Sequence, residues 1–312
     1  MLTSRRSQIV GLLSAASITA IAGVSSLASA ATIVYEPFNY PSVANGTTMN
    51  GVVTNATGLT GNYSVAGVGT YAVTYDTSGL TFGNLQTQGG SVTESGNQPD
   101  ISAQMSVASP VAGSTLYGSY LIQSSTAAPG SEVAALVFGP KNATDVNANI
   151  NIAAEEYGDN NGVVRAGGAS ANGVGTALSV NTPYLELFQI SGINATSGNV
   201  SASEWTLSSS QFANFQGNLT ATALDAAATG TAANEVTQEA IVNNANPGGS
   251  YPTINSSTYL SLYTYSMTNQ FDEIRLSQNS LADVAPVPEP ATLGLTAIGG
   301  LGLLLLKRRK VV

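Results

Sequence analysis

The chain contains no Cys and no His, so any chemistry it performs falls to carboxylates, hydroxyls and amides. A Ser–His–Asp triad, a Cys nucleophile and thiolate or imidazole metal sites are excluded. What survives is carboxylate catalysis, oxygen ligation of a hard cation, or binding without chemistry. Carboxylate hydrolysis needs two acids on one strand face, about 5–9.5 Å apart. The adjacent pairs Glu155–Glu156 and Asp272–Glu273 point to opposite faces if extended. Glu155 or Glu156 with Asp159 across a turn is the remaining arrangement. These carboxylates are expected to be ordinary surface groups, and no catalytic residue is assigned.

Asp145, Asn147, Asn149 and Glu156 occupy relative positions 1, 3, 5 and 12, the oxygen-ligand spacing of a Ca2+-binding loop. The sixth position, where a sharp turn demands Gly, is Ile150. Alternating Asn on the solvent face of a strand accounts for the same residues without metal. Ca2+ is therefore the one cofactor raised, and no other is expected. Sugar binding uses exposed aromatic faces with neighbouring polar groups. Trp205, the single Trp, lies in the strand-like 203–207 (SEWTL) and is expected in the core. Tyr259, Tyr263 and Tyr265 share one face of an extended strand, serving either as a glycan platform or as inner-sheet packing.

Six of the nine basic residues lie in the two tails: Arg5, Arg6, Lys307, Arg308, Arg309 and Lys310. Between residues 32 and 286, Lys141, Arg165 and Arg275 face seventeen acidic residues, a net charge of −14. Such a body repels phosphate backbones, so no nucleic-acid partner is expected. Ser, Thr, Asn and Gly must supply its solubility.

The elements that must position these residues are short strands. Tyr71, Val73 and Tyr75 alternate with Ala72 and Thr74 before a 76–79 turn. Runs 115–122, 132–138 and 184–190 are strand-like, 146–157 and 163–166 predict a hairpin, and 258–265 and 271–276 predict closing strands. Stretches 220–228 and 234–243 predict one or two short helices. The density of strands predicts an all-β, two-sheet sandwich of one domain.

The N-terminus carries Arg5 and Arg6, an apolar run over 9–22, and Ala28-Ser29-Ala30 before Ala31. This is the pattern of a secretory signal peptide over 1–30, with Ala28 and Ala30 setting the cleavage site. At the other end, Pro290 opens sixteen uncharged residues (291–306), followed by Lys307, Arg308, Arg309 and Lys310. As a helix the apolar run spans about 24 Å, short of the ~30 Å bilayer core. Snorkelling by the basic cluster offsets the deficit, and the same cluster holds the C-terminal side in the cytoplasm.

Val287-Pro288-Glu289-Pro290, the apolar run and the basic cluster together resemble the PEP-CTERM sorting domain, here 287–312. That resemblance implies recognition by an exosortase-type membrane transpeptidase, a transient inner-membrane anchor, and then the cell surface or extracellular space. It also implies a bacterium that makes extracellular polysaccharide, the expected candidate ligand. A second resemblance rests on 34–40 (VYEPFNY), 78–80 (SGL) and 271–276 (FDEIRL) before 282–284 (ADV). These recur in exported proteins whose bodies resemble laminin-G/concanavalin-A-like jelly rolls, here 31–286. It implies core positions for Ile274 and Leu276 and an acidic partner for Arg275. The glucanases of that fold carry E-x-D-x-E or E-x-D-x-x-E on one strand, which this chain lacks. Three readings follow: a non-enzymatic surface or matrix protein, a carbohydrate-binding module, and a carboxylate-dependent glycan hydrolase.

Overall fold

The computed structural model describes residues 32–67, 71–106, 110–125, 133–139, 141, 152–157, 162–166, 169–172, 179–215, 217–228, 237–244 and 252–286. The chain divides into Met1–Ala31 and Thr32–Val312, and every described residue belongs to the second unit. Strands run in the order β1 (Thr32–Glu36), β2 (Leu59–Ala66), β3 (Tyr71–Asp76), β4 (Ser91–Met105), β5 (Ser114–Ser124), β6 (Val133–Gly139) and β7 (Ile152–Tyr157). They continue as β8 (Gly162–Ala166), β9 (Ala169–Asn172), β10 (Tyr184–Ile193), β11 (Val200–Leu207), β12 (Thr237–Asn244) and β13 (Tyr259–Ser277). Among the described residues three short helices intervene or follow: α1 (Ser209–Ala213), α2 (Ala221–Ala228) and α3 (Leu281–Val284).

β13 organises the fold. At 19 residues it is far longer than a usual strand, and it serves both layers. Its first part, 259–265, pairs with β6, from which β7, β8 and β9 continue. Its second part pairs with β5, from which β10, β11 and β12 continue. β4 runs antiparallel beside both parts, and takes β2 on residues 100–105 and β3 on residues 91–96. The two arms return toward each other, β12 lying against β8 and β9. The result is a jelly-roll-like antiparallel β sandwich whose two layers share their central ribbon.

The ribbon bends where its register slips, between Tyr263 and Tyr265 and again between Tyr265 and Met267. Gln98 (φ 61°), Gly96 (φ 111°) and Ser266 (φ 54°) adopt left-handed backbone there. Such extra residues sharpen twist and re-aim side chains. Corners made by strands passing from one sheet to the other are a known device of sandwiches.

Two apolar clusters hold the layers. Between the sheets lie Ile101, Tyr120, Phe138, Phe188, Leu262 and Phe271, all buried. The opposite face of β5, β10 and β11 presents Leu121, Leu185, Leu187, Trp205 and Leu207. It is covered by Phe212 of α1, Leu224 of α2, Leu281 and Val284 of α3, and the 80–85 segment. This two-sided burial explains why β10 reads as a nearly unbroken apolar run.

The expected hairpin 146–157 with 163–166 forms as β7 with β8, and residues 146–151 lie outside the described residues. A helix forms at 221–228, as expected. The expected helix over 234–243 is instead strand β12, paired along β11 from Thr237 to Asn244. Cross-strand pairing of the β-branched Thr237, Ile241 and Val242 outweighs the local helix preference of Gln238, Glu239 and Ala240. The two closing strands expected at 258–265 and 271–276 are one continuous β13. Among the described residues no helix is long and apolar enough to cross a membrane; segments 1–30 and 287–312 lie outside them.

Candidate functional site: the buried carboxylates

Much of the site expected from sequence falls outside the described residues: Ala28, Ala30, Asp145, Asn147, Asn149, Asp159, Val287, Pro288, Glu289, Pro290, Lys307, Arg308, Arg309 and Lys310. Glu155 and Glu156 stand within β7, opposite Ala135 and Ala134 of β6 and opposite Val163 and Gly162 of β8. Trp205 is fully buried, and its indole N–H donates to Asp225 Oδ1 at 3.1 Å. Tyr263 is buried, while Tyr259 and Tyr265 are half-buried.

Burial of acids is the main feature not anticipated from sequence. Glu36, Glu94, Asp100, Glu186, Glu204, Asp272 and Glu273 are each at most 1 % exposed. For Asp272 and Glu273 this corrects both the surface reading and the strict alternation. Glu273 has φ 52° and sits where the pairing to β5 slips between Asp272 and Arg275, so the pair is not simply extended. The signal was present in the flanks, since Asp272-Glu273 lies between Phe271 and Ile274, and Glu186 between Leu185 and Leu187.

Three groups of these acids have distinct surroundings. In the first, Asp272 Oδ2 accepts from the Leu80 amide at 2.7 Å and Oδ1 from the Glu273 amide at 2.7 Å. Glu273 accepts from the Gln88 amide and pairs with Arg275 at 2.5 Å. Arg275 also donates to the Gln86 carbonyl and stacks over the Tyr35 ring, 4.9 Å from its centre. Burial, then the Glu273 charge, pushes Asp272 up to about 9. Burial and Glu273 likewise push Tyr35 up to about 12. Ile274 and Leu276 face the core, as expected.

In the second group Glu36 accepts from the Tyr40 hydroxyl at 2.6 Å, from the Tyr63 hydroxyl and from the Phe38 amide at 2.6 Å. Burial raises Glu36 and these donors lower it, with burial the larger effect. In the third, at the ribbon bend, burial pushes Asp100 up to about 7. Burial and the Asp100 charge hold Glu94 well above the carboxylate range. The Ser102 hydroxyl donates to Asp100 at 2.9 Å and lies 2.7 Å from that of Ser261. Elsewhere Thr206 donates to Glu186 at 2.7 Å. Carboxyls so enclosed do not meet a polymeric substrate in this conformation; they can hold a proton, staple strands or bind an ion. Among the described residues no group of three or more acidic side chains is placed to hold a metal by itself.

The strand pairing defines the class, a jelly-roll-like β sandwich. Residues 286–310 match the PEP-CTERM protein-sorting motif. The chain thus carries the sorting signal of exported, membrane-processed proteins, and that signal implies processing by exosortase, a membrane enzyme. Comparison with curated proteins returned no match. Among solved structures the chain is similar to the endo-β-1,4-glucuronan lyase of the fungus Trichoderma reesei, at 10% identity and TM-score 0.43, covering 78% of this chain and 98% of that one. It is similar also to the T. cruzi calreticulin globular domain, at 9% identity and TM-score 0.39, covering 76% and 88%. Lectin I-B4 of Griffonia simplicifolia is similar at 9% identity and TM-score 0.31, covering 63% and 91%.

Proposed function

We propose that this chain is a non-enzymatic exported protein of the cell surface or extracellular matrix. An exosortase-type transpeptidase recognises Val287-Pro288-Glu289-Pro290 while the 291–306 segment and the basic cluster hold the chain in the inner membrane. It then removes the tail and releases the body outward. The sorting-motif match at 286–310 carries this reading. The signal-peptide pattern at the other end and the acidic body, which stays soluble without sticking to anionic surfaces, support it. Replacement of Pro288, Glu289 and Pro290 by alanine tests it. The variant should accumulate uncleaved in the inner membrane, with the intact C-terminus found by mass spectrometry; processing equal to wild type refutes the proposal.

A second reading, a module that binds extracellular polysaccharide, draws on the β13 face. Tyr259 and Tyr265 are half-buried on either side of buried Tyr263. Tyr263 lies in a register row with Asp100 and Ala135, which continues to Glu155. Half-buried aromatic residues, apolar in body with a polar tip, suit sugar faces. A glycan array probed with the purified protein, with and without Ca2+, tests this reading; binding to no sugar in either condition counts against it.

A further inference from the structure

Where the β4–β13 ribbon bends, three side chains bury oxygen atoms that meet no hydrogen-bond partner. Glu94 is 0 % exposed, and neither Oε1 nor Oε2 has a partner at full hydrogen-bond geometry, although the Thr264 hydroxyl and the Ile101 amide lie near enough to favour its charged form. Asn269 stands directly opposite it on β13, also 0 % exposed. Its amide nitrogen turns to the Thr264 hydroxyl at 3.3 Å and to Met267 sulfur at 3.9 Å, leaving Oδ1 unpartnered. Asp100, 0 % exposed, gives Oδ1 to Ser102, while Oδ2 has no partner. The charge of Asp100 reaches Glu94, and Thr264 lies beside both Glu94 and Asn269.

Two features of this cluster point to an occupant. Its free groups are all oxygens, two carboxylates and one amide carbonyl, the donor set preferred by hard cations. Neither acid forms an ion pair among the described residues, where Arg275 pairs with Glu273, so in their charged forms nothing cationic offsets them. Buried acids persist when paired, protonated or coordinated to metal. One divalent ion would neutralise both carboxylates and use all four orphaned oxygens together.

We propose that Glu94 Oε1 and Oε2, Asp100 Oδ2 and Asn269 Oδ1, with the Thr264 hydroxyl beside them, ligate a Ca2+ ion that ties β4 to β13 at the bend. The site is separate from the Asp145, Asn147, Asn149 and Glu156 spacing, and it does not depend on any sugar-binding role. An ion there would lock the point at which the shared ribbon passes from one sheet to the other.

The test uses the purified full-length chain in detergent, stripped with EDTA and titrated with Ca2+ alone, then with Mg2+ alone. Metal per chain is measured after dialysis, and the unfolding midpoint is followed against metal concentration. The expected result is one retained Ca2+ and a midpoint that climbs with free Ca2+, as for any ligand of the native state. Glu94→Gln should abolish both while leaving the metal-free midpoint equal or higher, because a neutral amide costs no more to bury than an acid whose charged form burial disfavours. Asp100→Asn gives the same readout should Glu94→Gln fail to fold. Tb3+ supplies an independent measure, since Tyr263 is the cross-strand partner of Asp100 and should sensitise its emission. No bound Ca2+ in wild type would show that Glu94 and Asp100 are instead a protonated pair and overturn the proposal. A Ca2+ response lost in Asp145→Asn but kept in Glu94→Gln would place the ion elsewhere and overturn it equally.

Discussion

Arg275 and Glu273 form a buried ion pair, 2.5 Å long, two residues apart on one strand, with side chains 5% and 0% exposed. On regular β backbone residues i and i+2 share a face; here Glu273 itself has left-handed backbone, and the pairing to β5 slips between Asp272 and Arg275. Both partners reach one segment, Glu273 taking the Gln88 amide and Arg275 the Gln86 carbonyl. The pair therefore fastens the loop after β3 to the last strand. Removing one partner leaves a lone buried charge, which costs roughly 3–5 kcal/mol. Arg275→Met should lower stability on that scale in urea unfolding, with buried Trp205 as the fluorescence signal. Glu273→Gln combined with Arg275→Met should recover part of the loss.

Asp272 should make stability depend on pH over a wide window. Its carboxyl titrates near 3.9 when unfolded and at about 9 when folded. The folded state thus binds the proton more tightly, so this contribution is full below about pH 4 and is lost as pH rises toward 9. The urea midpoint should be higher at pH 5 than at pH 9. Asp272→Asn, which keeps an acceptor for the Leu80 amide, should flatten that slope; an unchanged slope would assign the dependence to other acids.

Gly118 is present because of Phe188. The two are cross-strand partners on β5 and β10, and a Cβ on Gly118 would lie 1.9 Å from Phe188 Cζ. Gly118→Ala should destabilise by at least the ~1–3 kcal/mol typical of overpacking. Adding Phe188→Leu should return part of that in thermal unfolding, since it removes the ring that clashes.

Tyr40 and Tyr63 act on Glu36 as a unit, their rings edge-to-face at 6.2 Å and both hydroxyls donating to the one carboxylate. Tyr63→Phe removes a donor from a buried acceptor and should cost about 1–3 kcal/mol. Tyr40→Phe should cost a similar amount. The double variant should depart from the sum of the singles, as members of one network do; strict additivity would argue against a shared network.

Short-range patterns identified most strands, because alternation in stretches such as 71–75 and 115–122 is local and each face meets one environment. They failed at 237–244, where pairing with β11 rather than propensity decides the state. They also failed to show that 259–277 is continuous, because the bend at Ser266 interrupts the alternation from which a strand is recognised. The ion pair of Arg275 was expected from the FDEIRL resemblance. The burial of Glu94 and Asp100 was not, since they lie in SVTESGNQPD, a polar stretch with no apolar alternation to mark a buried strand.

The sequence by itself determined the class of chemistry, the acidic all-β body and the sorting signal at 286–310. Each depends on which residues are present or on contiguous order, and needs no folding to be recognised. Only the tertiary structure decided that seven acids among the described residues are interior and that Glu94 meets Asn269 from 175 residues away. It alone shows that one bent ribbon serves both sheets. The reason is physical: burial and cross-strand pairing are set by what another part of the chain places against a residue, and in this fold most partners are distant in sequence.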